Sequence, residues 1–253
     1  MISLAHRTMI DLAPTELVRV AAAAGFDAVG FPLVPVRDDE PAWRMLEDSR
    51  VLTETVAALG SHGVAVLDIE LVRIEATTRA AEFRRMFEAG AALGARFVVA
   101  IATDDDESRI ANTLADLCTE AAPFGLRVAL EFMPRFGVRT LDAAQRIVKA
   151  TGHPGASILV DAAHFYHSGA VTADLAGVDP GIMHYMQTND VADTHAWTKI
   201  LPGTGTLPLS DLMRALPPGI PVSLEVSGPA AEKRDVEAYA RRAAQVTRAA
   251  AAG

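Results

Sequence analysis

Four polar residues each close an apolar, strand-like run in the second half of the chain: Glu131 in "RVALEF", Asp161 in "ASILVD", Gln187 in "MHYMQT" and Glu225 in "VSLEV". Burying a carboxylate at the end of such a run is costly unless its charge is compensated. Brought to one point, three carboxylates would repel one another and hold on to protons unless a cation neutralised them. With an amide carbonyl they form an all-oxygen donor set suited to a hard divalent ion, Mg²⁺ or Mn²⁺, in six-coordinate geometry. Taken singly, each residue is also explained as a helix cap or a rim ion-pair partner. Four of them ending consecutive runs favour one shared site, with His164 leaning over it three residues after Asp161.

The elements that must bring these residues together are legible as a repeat. A helical pattern ends near glycine and a β-rich run follows at seven joints: "AAGFDAVGF", "SHGVAVLDIE", "ALGARFVVAIA", "PFGLRVALEF", "HPGASILVDAAH", "DPGIMHYMQTND" and "PPGIPVSLEV". Their glycines, Gly25, Gly63, Gly94, Gly125, Gly155, Gly181 and Gly219, suit the left-handed residue that closes a helix before a strand. They recur every 26 to 38 residues, the length of one strand plus one returning helix, and "MISLAHRTMID" supplies an eighth strand. The reading is a single (β/α)8 TIM barrel over residues 1–253, one α/β domain. Helical stretches include "PTELVRVAAAAG", with Pro14 in its first turn, "AAEFRRMFEAGAALG", "TLDAAQRIVKATG" and a last helix over "AAEKRDVEAYARRAAQVTRAA". An open doubly wound sheet would carry a glycine-rich phosphate loop after a strand, and neither GxGxxG nor a Walker loop is present. "LPGTGTLP" reads as a turn before it reads as a phosphate cradle.

Barrels place their chemistry at the carboxyl ends of the strands, so the remaining strand ends supply further site residues. These are His6, Asp68, Glu70, Thr103 and Asp104. Glu70 and Arg73 in "LDIELVRI" are assigned to substrate hydroxyls, with a rim ion pair as the alternative. His6 lines the pocket or is a hydrogen-bonded structural histidine. In "DVADTHAWTKILPG", Trp197 and Lys199 offer an aromatic face and a cation to a sugar, while a loop held down by Trp197 packing is the more conservative assignment. His62, His153 and His167 read as surface or turn residues.

Composition narrows the classes. Half of the residues are hydrophobic and 22% are charged, enough apolar material for a large core without disulfides. The lone Cys118, inside "IANTLADLCTEAA", reads as a small buried hydrophobe. A net charge of −9 dispersed along the chain disfavours nucleic acid. The first residues do not pattern as a signal peptide and no membrane span is expected, so a cytoplasmic location and a small-molecule partner are anticipated.

Together, "LEFMP", "LVDAAH", "MQTND" and "SLEV" resemble the xylose-isomerase-like TIM barrels, the sugar phosphate isomerase and epimerase group. That superfamily includes ketose 3-epimerases, hydroxypyruvate isomerase, inosose dehydratase and endonuclease IV, and the resemblance spans essentially the whole chain. It implies a metal held by Glu131, Asp161, Gln187 and Glu225, with Gln187 departing from the histidine of the ketose epimerases. The ion would be Mn²⁺ or Mg²⁺, with Co²⁺ a further option. His164 then contacts substrate oxygens, and Thr204 in "PGTG" replaces an acid of the family's frequent "PGEG". The implied reaction is isomerisation or epimerisation of a sugar or related hydroxy-carbonyl compound. Glu131 and Glu225 exchange an α-proton through a metal-stabilised ene-diolate. A dehydratase acting on a polyol or cyclic keto compound, and a non-catalytic metal-dependent sugar-binding protein, stand as alternatives. The histidine-rich site and basic groove of an endonuclease are not evident. The resemblance also allows a homodimer.

Overall fold

A computed structural model describes residues 1–34, 43–227 and 235–252. Eight strands run β1 Ile2–Ala5, β2 Ala28–Pro32, β3 Ala65–Ile74, β4 Phe97–Ala102, β5 Arg127–Glu131, β6 Ala156–Asp161, β7 Met183–Thr188 and β8 Val222–Leu224. Each pairs in parallel with its sequence neighbours, and β8 returns to β1, closing the barrel in the order of the chain. The main helices are α1 Pro14–Ala24, α2 Ser49–His62, α3 Arg84–Leu93, α4 Glu107–Ala121, α5 Leu141–Thr151, α6 Ala162–His167, α7 Leu209–Ala215 and α8 Val236–Ala251. The part of the expected last helix that precedes residue 235 lies outside the described residues.

Strand residues alternate between two apolar clusters. A small inner one, Ala28, Leu67, Phe97, Val99, Ala129, Leu159 and Tyr185, fills the barrel, with the Phe97 and Tyr185 rings stacked 4.7 Å apart. The larger outer cluster lies between strands and helices. Because both faces are covered, strands such as β4 and β6 are buried at every position, which is why they read as continuously apolar. Cys118 is fully buried in α4 among the outer cluster.

Most joint glycines behave as the repeat suggested: Gly25, Gly63, Gly94, Gly125 and Gly219 all have positive φ. Two do not. Gly152, not Gly155, is the left-handed cap of α5 at φ 60°, while Gly155 donates its N–H to His153 Nδ1 in the following turn. Gly181 sits inside a short 3₁₀ turn, Pro180–Ile182, capped by the Asp179 carboxylate. No helix among the described residues is long and apolar enough to cross a membrane.

Candidate active site and metal centre

Register places the polar strand ends at one level. Asp161 pairs with Gln187 and Gln187 pairs with Ser223, two residues before Glu225, while Glu131 ends the neighbouring β5 opposite Leu159. Asp161 is fully buried and does two jobs. Its Oδ1 caps α6 by accepting the His164 N–H at 3.0 Å, and its Oδ2 accepts Asn189 Nδ2 at 2.6 Å and Lys199 Nζ at 2.9 Å. Burial would raise its pKa, but Lys199, His164 and these hydrogen bonds outweigh burial and hold the carboxyl below its ordinary value.

Glu131, Asp161 and His164 form a cluster able to hold a metal ion, their ligand-capable atoms lying within 4.8 Å of one another. His164 Nε2 is 3.6 Å from Glu131 Oε1 and 4.0 Å from Asp161 Oδ1. Burial lowers the His164 pKa to about 4, so the ring is neutral near pH 7 and has a lone pair to offer. Burial also pushes the Glu131 carboxyl well up; Asp161, Glu225 and Glu70 add to this and Lys199 opposes it. Beneath, Asp68 is fully buried, with neither carboxyl oxygen hydrogen-bonded among the described residues, and its pKa is raised by burial and by Glu70 and Glu225.

Gln187 tests whether a cation fits. It is buried, its Nε2 reaches Glu70 Oε1 only at 3.5 Å, and its Oε1 has no hydrogen-bond partner among the described residues. A buried carbonyl oxygen left without a donor costs roughly 1–3 kcal/mol, which a hard cation at that oxygen would recover. The donor set therefore fits a divalent ion. Glu225, expected as the fourth ligand, has its oxygens directed to Lys199 Nζ, through Oε2, and to Arg7 Nε at 3.6 Å, through Oε1. Lys199 thus lies between two carboxylates of the expected ligand set; burial disfavours its charge, yet Asp161 and Glu225 prevail and raise its pKa.

Above this cluster opens a cavity of about 490 Å³. Among the residues expected in the site, Glu70, Arg73, Glu131, His164, Trp197, Lys199 and Glu225 line it. His6 does not line it. Its Nε2 donates to the Leu12 carbonyl at 2.8 Å and its ring stacks on Trp43, with Phe31 edge-on, so the structural assignment describes it. Trp197, partly exposed, meets the His167 ring at 4.4 Å and the Arg135 guanidinium 3.6 Å from its own ring centre.

Arg7 and Arg135 were missed in the sequence, His167 was assigned to the surface or a turn, and Asn189 lies within the flagged strand end Gln187 to Asp190. Arg7 directly follows a flagged strand end, so adjacency was an available signal. Arg135 sits in the loop after β5 and His167 closes α6, and neither position carries one. "LPGTG" is indeed a turn: the backbone N–H groups of Gly203, Gly205 and Leu207 all donate to the buried Asp190 carboxylate at 2.9–3.0 Å. The cradle is filled by the protein's own anion, and Thr204 bonds back to the Leu201 carbonyl.

The closed parallel barrel that carries these groups has counterparts. The model for the xylose isomerase-like TIM barrel family matches residues 18–250. The chain belongs to that family. The inosose isomerase of Halalkalibacterium halodurans is 29% identical over 150 residues, 53% of this chain and 53% of that protein. The chain thus spans about half the length of the curated relatives it matches. Among solved structures, a zinc-bound IOLI protein superposes with a TM-score of 0.86 at 19% identity, covering 99% of this chain and 98% of that one. D-psicose 3-epimerase from Clostridium cellulolyticum H10, solved with D-tagatose, gives 0.77 at 14% identity over 99% and 98%. At these identities the likeness is one of fold.

Proposed function

We propose that residues 1–253 act as one barrel enzyme that isomerises or epimerises a sugar-like hydroxy-carbonyl compound with the help of a divalent metal, Mn²⁺ or Mg²⁺. The observation that carries this reading is the convergence of Glu131, Asp161 and His164 within 4.8 Å, with Gln187 paired to Asp161 in register and its carbonyl oxygen unpartnered among the described residues, beside a cavity lined by Glu131, His164 and Glu225. The inosose isomerase relatives and the epimerase neighbour support it. Glu131, Asp161, Gln187 and Glu225 would hold the ion, with His164 beside them. When bound, the ion supplies Lewis-acid polarisation of the substrate carbonyl, which acidifies the adjacent C–H.

The protein's own groups then move the proton. Glu131 is nearly dry, and burial that favours its protonated form makes its carboxylate a stronger base than one in water. Glu225, on the cavity wall after β8, is the partner acid or base that returns the proton. Neutral His164 donates a hydrogen bond to a substrate oxygen, and Lys199 holds Glu225 in place. Trp197, in contact with His167 and Arg135 at the cavity wall, covers the substrate and limits water.

Purified protein loaded with Mn²⁺ should retain about one equivalent of metal, and Asp161→Ala should lose it. Metal-free wild type after loading would remove the reading. Glu131→Gln and Glu225→Gln should each slow exchange of the substrate α-proton with D₂O by about 10²–10⁴-fold. Product analysis then separates isomerisation from expulsion of a β-hydroxyl.

A further inference from the structure

Gln187 poses an orientation problem that the carboxylates of the expected ligand set do not. A carboxylate offers an oxygen whichever way its end turns, but a half-turn of an amide exchanges a carbonyl oxygen for an NH₂ group of nearly the same shape. Only the oxygen serves a hard cation, because the amide nitrogen is a donor alone. Shape does not decide between the two orientations, so a neighbour with a fixed hydrogen-bonding sense must.

Glu70 is that neighbour. Its Oε1 accepts Gln187 Nε2 at 3.5 Å, a buried contact between residues 117 positions apart. The distance is long for such a bond. The reverse orientation, however, would set the amide oxygen against the carboxylate, two acceptors with no proton between them. With its NH₂ group turned to Glu70, Gln187 leaves Oε1 without a hydrogen-bond partner among the described residues. Ser223, paired with Gln187 in register, does not supply one, since its hydroxyl is also unpartnered among those residues. The Lys199 ammonium is turned to Asp161 and Glu225.

The backbone explains how Glu70 comes to face the site. Between Ile69 and Val72 the pairing of β3 with β4 shifts, so that Ile69 lies opposite Val98 and Val72 opposite Ala100, with one extra residue on β3. A bulge of this kind re-aims side chains. In a regular strand Glu70 and Leu71 would point to opposite faces, whereas here both line the cavity. The Leu33 N–H donates to the Glu70 carbonyl at 2.7 Å and ties the bulged segment to the end of β2. Glu70 is buried there, only 4% exposed.

We propose that Glu70 is a positioning residue for the metal centre: its carboxylate selects the orientation of Gln187 that presents the carbonyl oxygen to the ion. This rests on the divalent-metal reading of the site. Glu70 acts through Gln187 and stands outside the Glu131, Asp161 and His164 cluster.

A double-mutant cycle on the Mn²⁺ affinity of the full chain, read by electron paramagnetic resonance of the free ion, provides the test. Glu70→Gln keeps the size but brings a group that can face either end of the Gln187 amide, and should weaken Mn²⁺ binding by about 10–100-fold. Gln187→Leu should cost about as much. The two together should bind within about twofold of Gln187→Leu alone, since without the amide Glu70 has nothing to orient. Glu70→Asp, which keeps the charge but withdraws it by a methylene, should follow Glu70→Gln and not wild type. If Glu70→Gln does not fold, the same cycle run with Glu70→Asp decides. Unchanged affinity in Glu70→Gln overturns the proposal. So does full additivity in the pair, which would make Glu70 a ligand in its own right, and so does wild-type affinity in Glu70→Asp, which would leave only its charge. Wild type that takes up no Mn²⁺ removes the metal reading and this role with it, whereas wild type that binds beside an unaffected Glu70→Gln removes the positioning role alone.

Discussion

Asp161 concentrates the physical problem of the site in one side chain. It caps a helix, accepts from Asn189 and faces an ammonium, so cap and ligand roles are compatible in one carboxylate with two oxygens. Lys199 gives the sharper prediction. Its ammonium neutralises Asp161 and Glu225 where the ion would otherwise do so, which sets the two cations in competition. Lys199→Met should raise Mn²⁺ affinity by about tenfold or more, and should destabilise the metal-free protein by about 3–5 kcal/mol because two buried carboxylates lose their counter-charge. Equilibrium dialysis and denaturant melts with and without Mn²⁺ read both effects. Weaker metal binding in the variant would mean that Lys199 assists the ion instead of competing with it.

The loops between strands and helices are built around local anions, and their failure modes differ. In the β7–α7 loop, Asp190 accepts the turn N–H groups of the alternate residues Gly203, Gly205 and Leu207 as well as its neighbour Val191 N–H at 2.9 Å. Asp190→Ala should cost about 2–4 kcal/mol by leaving those donors unmet, measured as a shift in urea midpoint. Gly205→Ala should weaken the same loop, since a Cβ there would run into the Val191 carbonyl and the Asp190 carboxylate. After β4, Arg109 holds Asp104 through bonds of 2.5 and 2.7 Å and draws its pKa from 3.8 to about 2. A depressed carboxylate pKa contributes stability that is complete above the unfolded value and disappears as pH falls through the folded one. Thermal stability should therefore drop between about pH 4 and pH 2, and Arg109→Met should flatten that segment of the profile.

The molecule as a whole is a closed barrel, so its core can be probed through a single thiol. Cys118 is fully buried, and burial pushes its pKa up to about 12. A thiol reagent should label the native protein only as fast as it unfolds, and labelling should coincide with loss of far-ultraviolet ellipticity across a denaturant series. Fast labelling of native protein would mean that α4 opens locally.

Period and composition determined the architecture before any coordinates. Parallel strands covered on both sides must read as short apolar runs, and the return helix sets a spacing near thirty residues, so "ASILVD" and "RVALEF" declared themselves as strands. The same logic exposed Glu131, Asp161, Gln187 and Glu225, because a polar residue ending a buried run is conspicuous along one dimension. Partnership was not legible. Lys199 meets Asp161 across 38 positions and Gln187 meets Glu70 across 117. Arg135 joins Trp197 from a different loop, and no period links residues whose contact depends on barrel closure. For His6 the strand-end rule left two assignments open, and the contacts of its ring with Leu12 and Trp43 match the structural one. Which polar groups exist was written in local pattern; which of them share a charge was decided only when the chain closed on itself.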